Sequence, residues 1–191
     1  LAADQVERLA ERTEGWAAGL QFAALSLRGR DDTEGFVERF AGSDRHVADF
    51  LLDEVLLRQP EDVCEFLLAT SVLERLRSDL CDHVTGRDDA GALLRRVESE
   101  NLFVVPLDNE REWFRYHHLL TDLLQLELRR VSPAIIDSLH RAAATWFEEH
   151  GFEVEAIRHA QSAGDWGHAA RVLADNSVDL VFDGRKATLR A

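Results

Sequence analysis

Lysine is almost missing from this sequence: Lys186 is the only one, and the other 21 Lys+Arg positions are arginine. Methionine is absent, tyrosine occurs once, proline three times, and cysteine only as Cys64 and Cys81. A phosphate loop of the form G-x-x-x-x-G-K-[ST] needs its lysine behind a glycine-rich turn. The surroundings of Lys186 read Asp183-Gly184-Arg185-Lys186-Ala187, so that loop is excluded from this stretch. The two cysteines have no C-x-x-C spacing and lie on separate apolar-periodic segments. They are read as reduced thiols of an intracellular protein, and a cytoplasmic location is expected. The longest uninterrupted apolar run, Leu102 to Leu107, is far too short to cross a bilayer, so no membrane association is expected.

Positive charge is the minority sign: 22 Lys+Arg against 36 Asp+Glu leaves a net charge of −14. A face that grips a nucleic-acid backbone must be positive, so direct DNA contact by this chain is not expected. With 46% hydrophobic residues in 191 positions, the chain can bury a proper core over one or two domains. It opens at Leu1 in helical pattern and stops at Leu189-Arg190-Ala191 without a terminator. It is therefore expected to be an excised piece of a longer protein, with no signal peptide to interpret.

Nearly every segment has a helical period, which predicts a mainly α fold. Residues 1–59 read as a small helical subdomain. Asp4 is placed to cap a helix with Val6, Leu9 and Ala10 inward. After Gly15 a second stripe runs through Trp16, Leu20, Ala24 and Leu27. Thr33 opens a third helix, with Phe36, Val37 and Phe40. Asp44 opens a fourth, with Val47, Phe50, Leu51 and Val55, closed by Pro60.

Residues 60–131 change grammar. Helices are predicted from Pro60-Glu61-Asp62, from Ser78 or Asp79 to a stop at Gly86, and from an Asp88-Asp89 cap. The strong strand signal Leu102–Leu107, a polar turn and Trp113–Tyr116 then predict a β-hairpin with Pro106 near an edge. Three short helices and a hairpin are the order of a winged helix, followed here by a Leu-rich helix carrying Leu119, Leu120, Leu123, Leu124 and Leu128. In residues 132–191, Ser132-Pro133 starts a one-sided helix with Ile135, Ile136, Leu139, Ala143, Trp146 and Phe147. Two stretches then echo one another, from Gly151 and from Gly164. The spacing of Phe147, Gly151, Ala156, Ala160 and Ala163 matches a tetratricopeptide-like helix pair, whose small residues let helices approach closely.

No H-E-x-x-H, no Cys/His quartet and no G-x-S-x-G elbow occurs among these residues, so neither a metal site nor catalytic residues are expected. His117 and His118, being adjacent, are expected to face different ways. The densest aromatic and basic cluster is Trp113-Phe114-Arg115-Tyr116-His117-His118. Read structurally, alternate aromatics of a hairpin strand pack into the core and one histidine caps the next helix. Read functionally, a neutral His117 at a strand-to-helix junction can donate to a phosphate oxygen, helped by free N–H groups at the helix start.

Tyr116-His117-His118-Leu119-Leu120-Thr121-Asp122-Leu123 resembles the M-H-D motif region of the STAND class of signalling ATPases. Thr13-Glu14-Gly15-Trp16-Ala17-Ala18-Gly19-Leu20 and the residues through Leu25 resemble a second block of that class, which lines the adenine pocket from a helical lid. The whole run, including Phe40–Ser43, Arg58–Val63 and Leu68–Ser71, is most similar to the large ATP-binding LuxR-type (MalT-like) transcriptional regulators. The resemblance implies that His117 senses the β-phosphate of ADP and that Asp122 holds a further acidic position. His118 stands where the class has Asp. Ala17 stands where it has Pro, which leaves Trp16 or Leu20 to shape the adenine wall. Gly15 and Arg115 enter as nucleotide-binding candidates with their blocks, and Tyr116, His118 and Asp122 as structural members of the motif.

The implied function is an ADP/ATP-controlled switch made of lid, winged helix and first sensor repeats. The phosphate loop and the DNA-binding domain of such a regulator would lie outside this chain. ATP or ADP would then be a cofactor of the longer protein, bound weakly if at all by this piece, which would not itself be an enzyme. The longer protein would self-associate and take an unknown inducer on its repeats. The alternative is a helical-repeat scaffold with no nucleotide role.

Overall fold

The computed structural model describes residues 3–13, 15, 16, 20, 23, 34, 35, 37, 48, 49, 51–100 and 102–176, and its regular structure is helical apart from one two-stranded sheet. The helices expected from Thr33 and from Asp44 up to Phe50 fall largely outside the described residues. Helix α1 spans Ala3–Arg12. Asp4 lies inside its first turn rather than before it, where a carboxylate favours the positive helix end, and approaches Arg8 at 3.8 Å. Leu9 is buried as expected, but Val6 is 48% exposed. The helix meets the rest of the molecule through its last turn, at Leu9 and Thr13, and Val6 lies one turn too early.

Residues Leu51–Leu56 wind as a π-helix, which Leu57 N–H extends to the Leu52 carbonyl at 2.8 Å. Leu51, Val55 and Leu56 turn inward, and Pro60 ends the segment by disfavouring helical geometry before it. Helix α2 (Glu61–Thr70) buries Val63, Phe66, Leu67 and Thr70. Helix α3 (Ser78–Thr85) ends at Gly86, whose φ of +68° closes the turn at little cost only for glycine. Helix α4 (Ala90–Ser99) is not capped by the side chain of Asp89. Arg87 holds that carboxylate at 2.7 and 2.8 Å, and Asp82 Oδ1 accepts the Ala90 N–H at 2.9 Å.

Strands β1 (Val104–Pro106) and β2 (Phe114–Tyr116) pair antiparallel, Val104 with Tyr116 and Pro106 with Phe114. Leu76 bonds the other side of Phe114 through N–H···O contacts of 2.7 and 2.9 Å, so β2 is central and Pro106 sits on an edge where its missing donor costs nothing. The strand expected from Leu102 begins two residues later because Phe103 adopts φ +57°, a value no strand residue takes. Helix α5 (His118–Val131) buries Leu119, Leu120, Leu123, Leu124 and Leu128 in one core with Phe66, Leu67, Leu76, Leu80 and Leu94. Each fully buried leucine contributes about 2 kcal/mol by leaving water, and this cluster holds the winged helix together.

A 3₁₀ turn (Pro133–Ile135) leaves Ile135 42% exposed, not inward as its spacing suggested, because the helical stripe starts only with α6 (Ile136–Glu149). Helices α7 (Glu153–Ser162) and α8 (Trp166–Asp175) follow. Ala143, Ala144, Ala156, Ala160 and Ala169 are all buried, which allows the close approach of these helices. Gly151 at φ +74° and Gly164 at +69° make equivalent turns thirteen positions apart, so the echo in the sequence is a helical repeat in space. Glu148 fastens the first helix of this unit to the last: Arg171 holds its carboxylate at 2.6 and 2.9 Å and His168 at 2.7 Å.

Candidate functional site

The site forms where β2 hands the chain to α5. Alternation along the strand sends Phe114 and Tyr116 into the core and leaves Arg115 on the other face, half-buried, with Nη1 donating to the Tyr116 carbonyl at 3.3 Å. The Tyr116 hydroxyl lies 2.7 Å from Thr70 Oγ1, which itself donates to the Phe66 carbonyl at 2.7 Å, so tyrosine is the donor to threonine. Burial pushes the phenol well above its usual range, and the proton stays on. Tyr116 therefore fixes the strand end.

His117 is the next residue and the N-cap of α5. Its Nδ1 accepts the Leu119 N–H at 3.2 Å, and its backbone N–H donates to the Phe103 carbonyl at 2.7 Å. A ring nitrogen that accepts from an amide carries a lone pair, so the ring proton is on Nε2. Nε2 donates to the carbonyl of Thr13 at 3.0 Å, across 104 positions of sequence. The residue is 7% exposed. The side chain is a helix cap and also a bridge to the Thr13–Trp16 run.

The expected help from free N–H groups at the helix start is not what the structure shows. His117 itself takes three of them: Nδ1 takes Leu119, and its carbonyl takes Leu120 and Thr121 at 2.9 and 3.0 Å. Nor do the two histidines face different ways. Their rings stack at 4.7 Å and 22°, because His118 opens the helix and its ring lies back over the preceding turn.

Trp16 joins this cluster, with its ring 6.5 Å from His117 and 5.0 Å from Phe103, which lies 5.8 Å from His117. Gly15, at φ +76°, turns the chain out of α1, and Trp16 N–H bonds the Thr13 carbonyl at 2.8 Å. Leu20 follows one turn on, its N–H bonded to the Trp16 carbonyl at 3.1 Å, and packs half-buried against the core. Asp122 is half-buried on α5, one turn after His118. The structure thus brings His117, Trp16 and Gly15 to one place, with Leu20 adjoining. Arg115 and Tyr116 belong to the strand beneath them.

Two members of the cluster were not legible as site residues. Thr13 is completely buried, and its hydroxyl donates back to Leu9 and Ala10, fixing where its carbonyl points. Only its place at the head of the Thr-Glu-Gly-Trp run hinted at this. Phe103 looked like a strand residue, and no pattern announces a positive φ at a phenylalanine. Among the described residues no group of three or more His, Cys, Asp or Glu is arranged to hold a metal ion, and no helix is long and apolar enough to cross a membrane.

A single neutral N–H donor beside the end of α1 does not make a phosphate cradle. Cradles are built from several convergent backbone N–H groups, and here those of Leu119, Leu120 and Thr121 are already used.

Residues 52–136 match the MalT winged helix domain. Over 177 residues, 92% of this chain, the sequence is 36% identical to the HTH-type transcriptional regulator MalT of Klebsiella pneumoniae, covering 19% of that protein. It is 35% identical to MalT of Yersinia enterocolitica over 184 residues, 95% of this chain and 20% of the relative. It is 34% identical to the serine/threonine-protein kinase PknK of Mycobacterium tuberculosis over 186 residues, 97% of this chain and 17% of the relative. The chain spans about a fifth of the length of the curated relatives it matches. Residues 52–136 are thus similar to the MalT winged helix domain, helical repeats follow them, and most of the chain is similar to one segment of MalT and of PknK.

Proposed function

We propose that this chain is the nucleotide-sensing part of an ATP-dependent LuxR-type regulator, in which the lid end, the winged helix and the first tetratricopeptide-like repeats act as an ADP/ATP-controlled switch. One observation carries the reading: His117 bonds the Thr13–Trp16 run directly, so the two motif blocks that the resemblance assigns to one nucleotide lie against each other. His117 would read the terminal phosphate of ADP, while Trp16, Gly15 and Leu20 would border the base, with Arg115 nearby as a cation. The bound group would supply the oxyanion. This chain supplies the donor and its alignment, and the main phosphate cradle comes from elsewhere in the longer protein. Energetically such a switch is a population shift, since a ligand acts only through its different affinity for two arrangements.

That proteins named as a kinase and as a transcriptional regulator share this segment favours a regulatory role over a catalytic one. The segment itself is then not an enzyme. Its net charge of −14 speaks against a winged helix that grips DNA. The location would be cytoplasmic, with self-association of the longer protein and an inducer acting on its repeats. The test is His117→Ala in the complete protein, reading ADP affinity and basal activity. Weakened ADP binding with raised basal activity is expected; if neither changes, the sensor role is wrong.

A scaffold role is favoured by a different observation. Trp166 and Leu173, 66% and 52% exposed, lie on one face of α8 together with exposed Ala170. Such a face suits further helical packing or a protein partner. Titration of ADP into the complete protein separates the two, because a scaffold shows no change at Trp16 or at the Tyr116–His118 amides.

A further inference from the structure

A cleft of about 410 Å³ opens between the loop that joins α2 to α3 and the helices α6 and α7, with His140 and His159 in its wall. The two rings meet through Nδ1 atoms 2.9 Å apart, so one Nδ1 carries a proton and the other a lone pair. A neutral imidazole holds one proton, which leaves one Nε2 bare and puts a proton on the other. Neither Nε2 has a hydrogen-bond partner among the described residues, and neither is sealed from solvent. One added proton turns the bare Nε2 into a second donor and keeps the Nδ1–Nδ1 bond. By itself the pair resists that proton: burial lowers the pKa of both rings, that of His159 to about 4 with help from His140 and Arg158. A bound oxyanion reverses the balance, because an opposite charge favours the charged form.

The charged groups around the pair sort into fixed and recruitable ones. Arg158 on α7 meets Glu74 of the loop at 3.1 Å, both well exposed, so an incoming anion displaces that carboxylate at small cost. Arg75 is not available, because Glu155 holds it at 2.6 Å and it lies against Trp113 and Phe152. Asp137 of α6 also acts on His140, and Arg129 of α5 borders an adjoining cleft with it. Glu74 and Glu155 at the rim disfavour a dianion. Val72 and Phe147, whose ring stacks on His159 at 5.3 Å, give the wall an apolar part. We propose that this cleft binds a small organic carboxylate, held by the Nε2–H groups of His140 and His159 and by Arg158, and that one proton passes from solvent to the bare Nε2 on binding. The site shares no residue with the His117 cluster and needs no nucleotide. Its occupation draws Arg158 from Glu74 and leaves the Arg75–Glu155 pair in place between the loop and α7.

The experiment titrates benzoate, its uncharged counterpart benzamide and inorganic phosphate into the complete protein by calorimetry. Measurements at about pH 7.5 and about pH 5.5, in buffers of different ionisation enthalpy, count the protons taken up. Expected are millimolar benzoate binding, about three- to tenfold tighter at the lower pH, and uptake approaching one proton. Benzamide and phosphate should bind more weakly. His140→Gln and Arg158→Gln should each weaken benzoate about tenfold, and His140→Gln should also reduce the proton uptake. Arg158→Gln alters an exposed side chain, so its effect does not report misfolding. Benzoate binding without proton uptake, or unchanged by either substitution, overturns the site, as does a failure to saturate by roughly 20 mM. Phosphate or benzamide binding as tightly as benzoate overturns the carboxylate assignment.

Discussion

The guanidinium of Arg77 lies between Trp113 of the hairpin and Trp146 of α6, 5.1 and 4.7 Å from the two ring centroids. Arg75 does the same between Trp113 and Phe152, at 4.5 and 4.7 Å, and pairs with Glu155 at 2.6 Å. These layers join the winged helix to the first repeat. The face toward α1 is built differently, around the His117–Thr13 bond and the rings of Trp16 and Phe103.

Trp113→Ala removes the ring that both arginines share. A loss of about 2 kcal/mol is expected, below the value for a fully buried tryptophan because Trp113 is only half-buried. Hydrogen exchange should show α6 and α7 opening more often while the amides of α2 and α5 keep their protection. Uniform loss of protection would mean that the joint is not a separable unit.

Tyr116→Phe should cost about 1 kcal/mol, since it strips the donor from Thr70 Oγ1 but leaves that hydroxyl its own bond to Phe66. Thr70→Val should cost a similar amount or more, and the double variant less than the sum. Urea denaturation of the four proteins gives the coupling; strict additivity would deny that the 2.7 Å contact stabilises the strand end.

His159 meets His140 through Nδ1 atoms 2.9 Å apart. Burial, then His140 and Arg158, lower its pKa to about 4, and burial also lowers that of His140. Both rings are therefore neutral in the folded protein at pH 7. In the unfolded chain they take up protons below the ordinary histidine value of about 6.5, so stability should fall as the pH drops from there to about 4. Denaturation midpoints between pH 7.5 and 4 measure this. His159→Gln should flatten the slope in that window, and an unaltered slope would place its origin elsewhere.

Much of this fold is written in one-dimensional periodicity. The buried leucines of α5, the Pro60 start, the Gly86 stop and the thirteen-residue echo of Gly151 and Gly164 each follow from spacing and backbone preference, which neighbouring residues decide among themselves. The misreadings came from groups whose partners are remote or competing. Asp89 looked like a cap, but Arg87 took its carboxylate and Asp82 served the helix. Phe103 looked extended, but it had to turn to meet His117 and Trp16. The candidate site was half legible: the motif marked His117 and Trp16, while nothing marked the Thr13 carbonyl, since a backbone acceptor has no signature in side-chain sequence.

Sequence by itself determined that the chain is helical, acidic and without a phosphate loop of its own, because composition and period are properties of the chain before it folds. Only the tertiary structure decided which proton His117 holds and where that proton points. A ring tautomer is set by the groups that surround it, and here those groups come from a helix start, a strained turn and a carbonyl 104 positions away.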